Sequence, residues 1–90
     1  MASFGPDLAI PPGFTLEEEL KAHRMSQREL AAKIGRPPQV ISEIIHGKKA
    51  ITAETALDLE AALGISAQLW LRLEARYRLT LAKQRRAESA

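Results

Sequence analysis

The 90-residue chain has no cysteine, so neither a disulfide nor a thiolate-held zinc can staple it. Aromatic residues are scarce: two Phe, one Trp and one Tyr. The β-branched residues are scattered rather than alternating, which disfavours strands and leaves helices as the expected element. No apolar run reaches the roughly 18 residues that a membrane span requires, and no basic-then-apolar leader is seen. The expected setting is therefore cytoplasmic, with no membrane partner. A strong net charge is missing too, the formal value being only +2. At this length the chain makes one small domain near the lower limit for a self-sufficient core, so helix packing must hold it, with a second copy as a natural support.

Catalytic signatures are equally sparse. His23 and His46 are the only histidines and fall in different segments. Glu43 and His46 stand three apart, a spacing compatible with metal, but two ligands do not make a site. There is no Gly-rich phosphate loop and no Ser-His-Asp ordering. The expectation is a protein without enzymatic activity, cofactor or metal.

What is present is a row of helix start and stop signals. Residues 1–14 carry Gly5, Gly13 and three prolines and read as an extended arm. Thr15 is the expected cap of a first helix, with Glu18 as its reciprocal partner and Glu17–Glu19 at the positive end of the helix dipole; this helix should run to about His23. Ser26 with Glu29 forms a second capping box, opening a helix over 27–34 that Gly35 stops. Pro37–Pro38 start a third helix over 38–46, buried through Ile41, Ile44 and Ile45 and ended by Gly47. Thr52 opens a fourth over 53–63, closed by Gly64. Ser66 opens a fifth over about 67–83, with Leu69, Trp70, Leu73 and Tyr77 at helical spacing. The expected fold is all-α, a compact five-helix domain over 15–83, followed by a frayed tail at 84–90.

Residues 26–52 have the layout of a helix-turn-helix. Two short helices meet across a tight turn, and Ala31 supplies the small side chain that their close crossing needs. With the isoleucines inward, the helical period puts Gln39, Ser42, Glu43 and His46 on the opposite arc. Gln39 stands near the end that enters the major groove in this motif, where a glutamine can pair with adenine; Pro38 and Val40 join the expected contact set beside it. Ser42 suits a base or a phosphate. Glu43 repels phosphate, so it should accept from a cytosine amine or pair with a neighbouring cation. Lys48 and Lys49 are placed to reach the DNA backbone, and Gln27, assisted by Arg28, to clamp a phosphate. Judged singly, a polar helix face of this kind is what any solvated helix shows; the motif as a whole carries the expectation.

Charge is unevenly spread. Residues 1–65 hold seven Lys/Arg against nine Asp/Glu, whereas residues 66–90 hold six against two. The fifth helix is thus basic; Leu71 and Leu79 make it apolar on more than one side and Leu81 extends its inward stripe beyond the expected end of the core, which calls for a second surface to cover it. A two-fold homodimer contact through Leu71, Leu73, Tyr77 and Leu81 is expected. It would set paired reading helices about one turn, roughly 34 Å, apart on a palindromic site.

The segments IPPG (Ile10–Gly13), LEEEL, SQRELAAKIG, VISEIIHGKKAIT, ALDLEAALG and SAQLWLRL together resemble HigA-type antitoxins within the Xre/Cro-like group, over about Ile10 to Tyr77. The resemblance implies a Cro/lambda-repressor-like fold for the five helices, and a dimer that represses its own operon by binding operator DNA. It also implies neutralisation of a HigB-like partner toxin, similar to RelE-type ribosome-dependent mRNA endonucleases. By position, Gln27 would hold the phosphate backbone, Gln39, Ser42 and Glu43 would face the groove, and Lys48–Lys49 would flank it. Two positions depart from the family pattern. Pro37–Pro38 replace a Ser cap and the polar or basic residue after it, and His46 replaces the Asn common before Gly47. Two other readings compete: a stand-alone Cro-like regulator without a toxin, and a protein-interaction module that has lost DNA binding.

Overall fold

A computed structural model describes residues 8–89, which form five helices and no strand: α1 (Pro12–Ala22), α2 (Gln27–Ile34), α3 (Pro38–Ile45), α4 (Ala53–Leu63) and α5 (Ala67–Ser89). The start signals of α2, α4 and α5 act as local chemistry predicts. Ser26 and Glu29 close a full capping box, the Thr52 hydroxyl accepts from the Thr55 N–H, and the Ser66 hydroxyl from the Leu69 N–H. Gly35 and Gly64 end α2 and α4 with left-handed φ values of 69° and 81°.

The two ends of the chain differ from the sequence reading. The helix starts at Pro12, within the expected arm, with Pro11 as its uncapped, extended N-cap residue. Thr15 therefore lies inside α1 and caps nothing, and the acidic run falls beyond the first turn. Glu18 instead meets Lys21 at 3.5 Å, and Glu19 meets His23 at 3.5 Å. Pro12 suits the first helical position because its missing N–H would have no partner there. Gly13 is not a loop glycine. A Cβ at this position would lie 2.2 Å from the Ile44 carbonyl oxygen and 2.3 Å from the Ile45 Cα, so only glycine lets the start of α1 rest on the end of α3. At the other end, α5 continues to Ser89 in place of a frayed tail from residue 84. Its last turns are built from Ala, Lys, Gln and Arg with no breaker, which favours helix. Residues 1–7, the first half of the expected arm 1–14, and Ala90 lie outside the described residues.

The core joins all five helices. Leu16 and Leu20 of α1, Leu30 and Ala31 of α2, Ile41, Ile44 and Ile45 of α3, Ala56, Leu59 and Leu63 of α4, and Trp70 of α5 are buried around Ile51. Leu71 and Leu73 pack partly against this core. Leu69 departs from the expected stripe and is exposed. It sits on the first turn of α5 next to Ser66, ahead of the point where Trp70 enters the core.

Candidate nucleic-acid interface

The burial of Ile41, Ile44 and Ile45 fixes the rotation of α3 and turns its polar arc outward. Gln39 and His46 are exposed on that arc, and Ser42 and Glu43 are half-buried. Pro38 is exposed at the helix start, whereas Val40 is half-buried and leans on the core. Two hydrogen bonds one helical turn apart order the arc. Gln39 Nε2 donates to Glu43 Oε2 at 3.3 Å, and His46 Nδ1 lies 2.8 Å from the Ser42 carbonyl oxygen. A carbonyl only accepts, so Nδ1 carries the hydrogen and the Nε2 edge of His46 is left for a partner. Glu43 has no cation within ion-pair distance among the described residues, so neither it nor its neighbours form the ion pair that the sequence suggested as one option.

Behind α3 the chain is held tightly. The amides of Lys48 and Lys49 both donate to the Glu43 carbonyl, at 2.8 and 3.2 Å, through a turn in which Gly47 takes φ 74°. A side chain on Gly47 would also press on the Tyr77 hydroxyl at 3.0 Å and Pro11 Cβ at 3.3 Å. The two lysine side chains stay exposed, without an acidic partner among the described residues. Gln27, half-buried, and Arg28, exposed, occupy the first turn of α2. Glu29 in that turn is held below the usual carboxylate range, first by the Ser26 N–H and then by its hydroxyl. The carboxylate form is the one that the cap stabilises. The box therefore contributes above the carboxylate's unfolded value and is lost as pH falls through the lowered one.

Three residues that position this face escaped sequence reasoning. Arg36, in the turn between α2 and α3, donates from Nε and Nη2 to Asp58 Oδ2 on α4 at 3.0 and 2.9 Å. Nothing in a separation of 22 residues marks that pair. Glu74 is buried on α5, accepts the Ile51 N–H at 2.9 Å and pairs with Arg78 Nε, fixing the segment that follows Lys48 and Lys49. Its signal was available: a carboxylate on the inward stripe, between Trp70 and Tyr77, needs buried partners.

Of the residues expected at a two-fold contact, Leu71 and Leu73 are partly used by the chain's own core, and Leu81 is half-buried further along α5. Tyr77 lies beside Pro11 and Gly47, under a groove of about 370 Å³ that Leu8, Phe14 and Thr80 also line. Leu8, Phe14 and Leu79 remain largely exposed. No helix of the described residues is long and apolar enough to cross a membrane.

A capped α2, a short turn stapled to α4 and an α3 whose polar arc is turned outward define an Xre/Cro-like helix-turn-helix domain. The family model described as helix-turn-helix matches residues 16–70. The chain is 42% identical over 77 residues to virulence-associated protein I of Dichelobacter nodosus, a match covering 84% of this chain and 71% of that protein. Among solved structures it superposes on an addiction module antidote protein of the HigA family from Coxiella burnetii with a TM-score of 0.83 and 33% identity, covering 90% and 89% of the two chains. The antitoxin HigA of Pseudomonas aeruginosa, solved with the higBA promoter, gives 0.84 and 26%, covering 91% and 90%. The chain belongs to the HigA-type antitoxins of the Xre/Cro-like helix-turn-helix family.

Proposed function

We propose that this antitoxin represses its own operon by sequence-specific binding of operator DNA as a dimer, and that it neutralises a RelE-like, HigB-type mRNA endonuclease. The observation that carries the DNA half is the outward arc of α3, with Gln39 and His46 exposed while the three isoleucines lock the helix from behind. Gln39, Ser42, Glu43 and His46 then face the groove, with Pro38 and Val40 at its entry. Lys48, Lys49, Gln27 and Arg28 meet phosphates on either side. The solved Pseudomonas aeruginosa relative bound to the higBA promoter supports the same use of the fold here.

The dimer half rests on α5, through Tyr77, Leu81 and the outer edges of Leu71 and Leu73. The toxin half rests on family membership and on the acidic α1, where Glu17 is exposed and has no cation partner among the described residues. A toxin that handles RNA is expected to be basic, which suits that surface.

Binding to the DNA upstream of the gene, titrated at several salt concentrations, tests the repressor role. Affinity should fall steeply with salt as phosphate contacts release counterions. Gln39→Ala should cost roughly 1–3 kcal/mol and relax preference at one base position. Unchanged binding and preference in that variant would contradict the docking of α3. Co-expression with the adjacent gene product tests the antitoxin role: the two should co-purify and growth arrest should be relieved. Operator binding without any such partner would leave a stand-alone regulator, whereas tight toxin binding without operator preference at low salt would leave an interaction module.

A further inference from the structure

In the first turn of α3 Gln39 is the only polar side chain, since Pro38, Val40 and Ile41 are apolar. The backbone offers little there. Pro37 and Pro38 have no N–H, Pro37 provides no side-chain cap, and the Val40 amide is already bonded to the Pro37 carbonyl at 3.0 Å. Apart from the backbone N–H of Gln39 itself, recognition at this end of the helix therefore falls on one side-chain amide. That amide is tethered to Glu43, a half-buried carboxylate with no cation near it among the described residues.

We propose that Glu43 is a positioning residue that orients Gln39 to read adenine and, through its charge, lowers affinity for DNA of every sequence, so that binding depends on the adenine contact. The inference rests on the operator-reading role proposed for α3 and adds the residue that sets its selectivity. A carboxylate only accepts hydrogen bonds, so it admits the NH2 side of the Gln39 amide and rejects the carbonyl side. The flip that a free glutamine would make is thereby suppressed. One N–H goes to Glu43, leaving Oε1 and the second N–H for the groove. That acceptor and donor match the N6 amine and N7 of adenine. Guanine presents two acceptors at the same edge, so Oε1 would face O6 with no hydrogen between them. The carboxylate also stands in a surface that approaches phosphates, where its repulsion acts on every sequence alike.

The test uses the full chain, its operator, operators with adenine changed to guanine one position at a time, and an unrelated duplex, with binding read by fluorescence anisotropy. Wild type should discriminate by at least about fivefold at one adenine, and Gln39→Ala should abolish that step. Glu43→Ala should lose most of the discrimination at the same position while binding the unrelated duplex several-fold tighter. Glu43→Gln loses the charge and offers an NH2 donor beside its acceptor oxygen, so Gln39 can flip against it; the discrimination should fall much as in Glu43→Ala, and the unrelated duplex should again bind tighter. Full discrimination in either Glu43→Ala or Glu43→Gln would overturn the positioning role while leaving Gln39 as the reader. Absence of any operator preference in wild type, or no effect of Gln39→Ala, would overturn the operator-reading role itself and the positioning role with it.

Discussion

Glu74 shows how much a single side chain can decide. It is buried, and it supplies the acceptor for the Ile51 N–H just where the chain leaves the lysines behind α3. Glu74→Ala leaves that amide without a partner in a dry site and should destabilise the fold by about 1–3 kcal/mol, read from chemical denaturation. Asp58→Ala removes a pair whose side chains are about one-third exposed, so solvent already screens it; its cost should stay within about 1 kcal/mol. A ranking in the reverse order would show that the stapled turn, not the buried carboxylate, is the stronger anchor of this part of the fold. Neither partner set was legible as a pair, because hydrogen bonds across 22 or 23 residues leave no local spacing to recognise. Arg24 is another residue of this kind: it takes φ 53° at the end of α1, where a glycine would have announced the stop.

Among the elements, what local signals fix is legible in the sequence and what a packed neighbour fixes is not. The bounds of α2 and α4 follow from Ser26, Gly35, Thr52 and Gly64, each acting within one turn of itself. The polar arc of α3 followed in the same way from the three isoleucines. The start of α1 is different, because the place of Gly13 is set by α3 and not by its own sequence neighbours. The end of α5 at Ser89 is not fixed by its own residues, because a charged, glycine-free tail suits helix as well as it suits solvent. Gly13→Ala separates these influences. Alanine would favour the helix by roughly 1 kcal/mol over glycine. Its methyl would collide with backbone atoms of Ile44 and Ile45 that cannot rotate away. The clash should win, with a net loss of about 1–3 kcal/mol in thermal or chemical unfolding. An unchanged or raised midpoint would mean that the two helices part more easily than this contact implies.

As a whole the molecule is elongated, with extents of 44 × 29 × 22 Å, and α5 accounts for much of the length. At about 1.5 Å per residue its 23 residues span roughly 34 Å, longer than the domain it packs against is thick. Trp70 ties its first half to the core, while Leu79 on the second half is largely exposed and Leu81 half-buried. Leu81→Arg should keep the helix content and shift the proposed dimer towards monomer in sedimentation, with weaker operator binding as a result. A sedimentation profile identical to wild type would remove Leu81 from that contact. One consequence concerns how the two ends of the domain communicate. The junction at Gly13 is main chain against main chain, so it contains no rotamer that could absorb a small push. A displacement of the first turn of α1 therefore presses directly on the main chain of Ile44 and Ile45, at the rear of the helix whose outward arc is proposed to meet DNA.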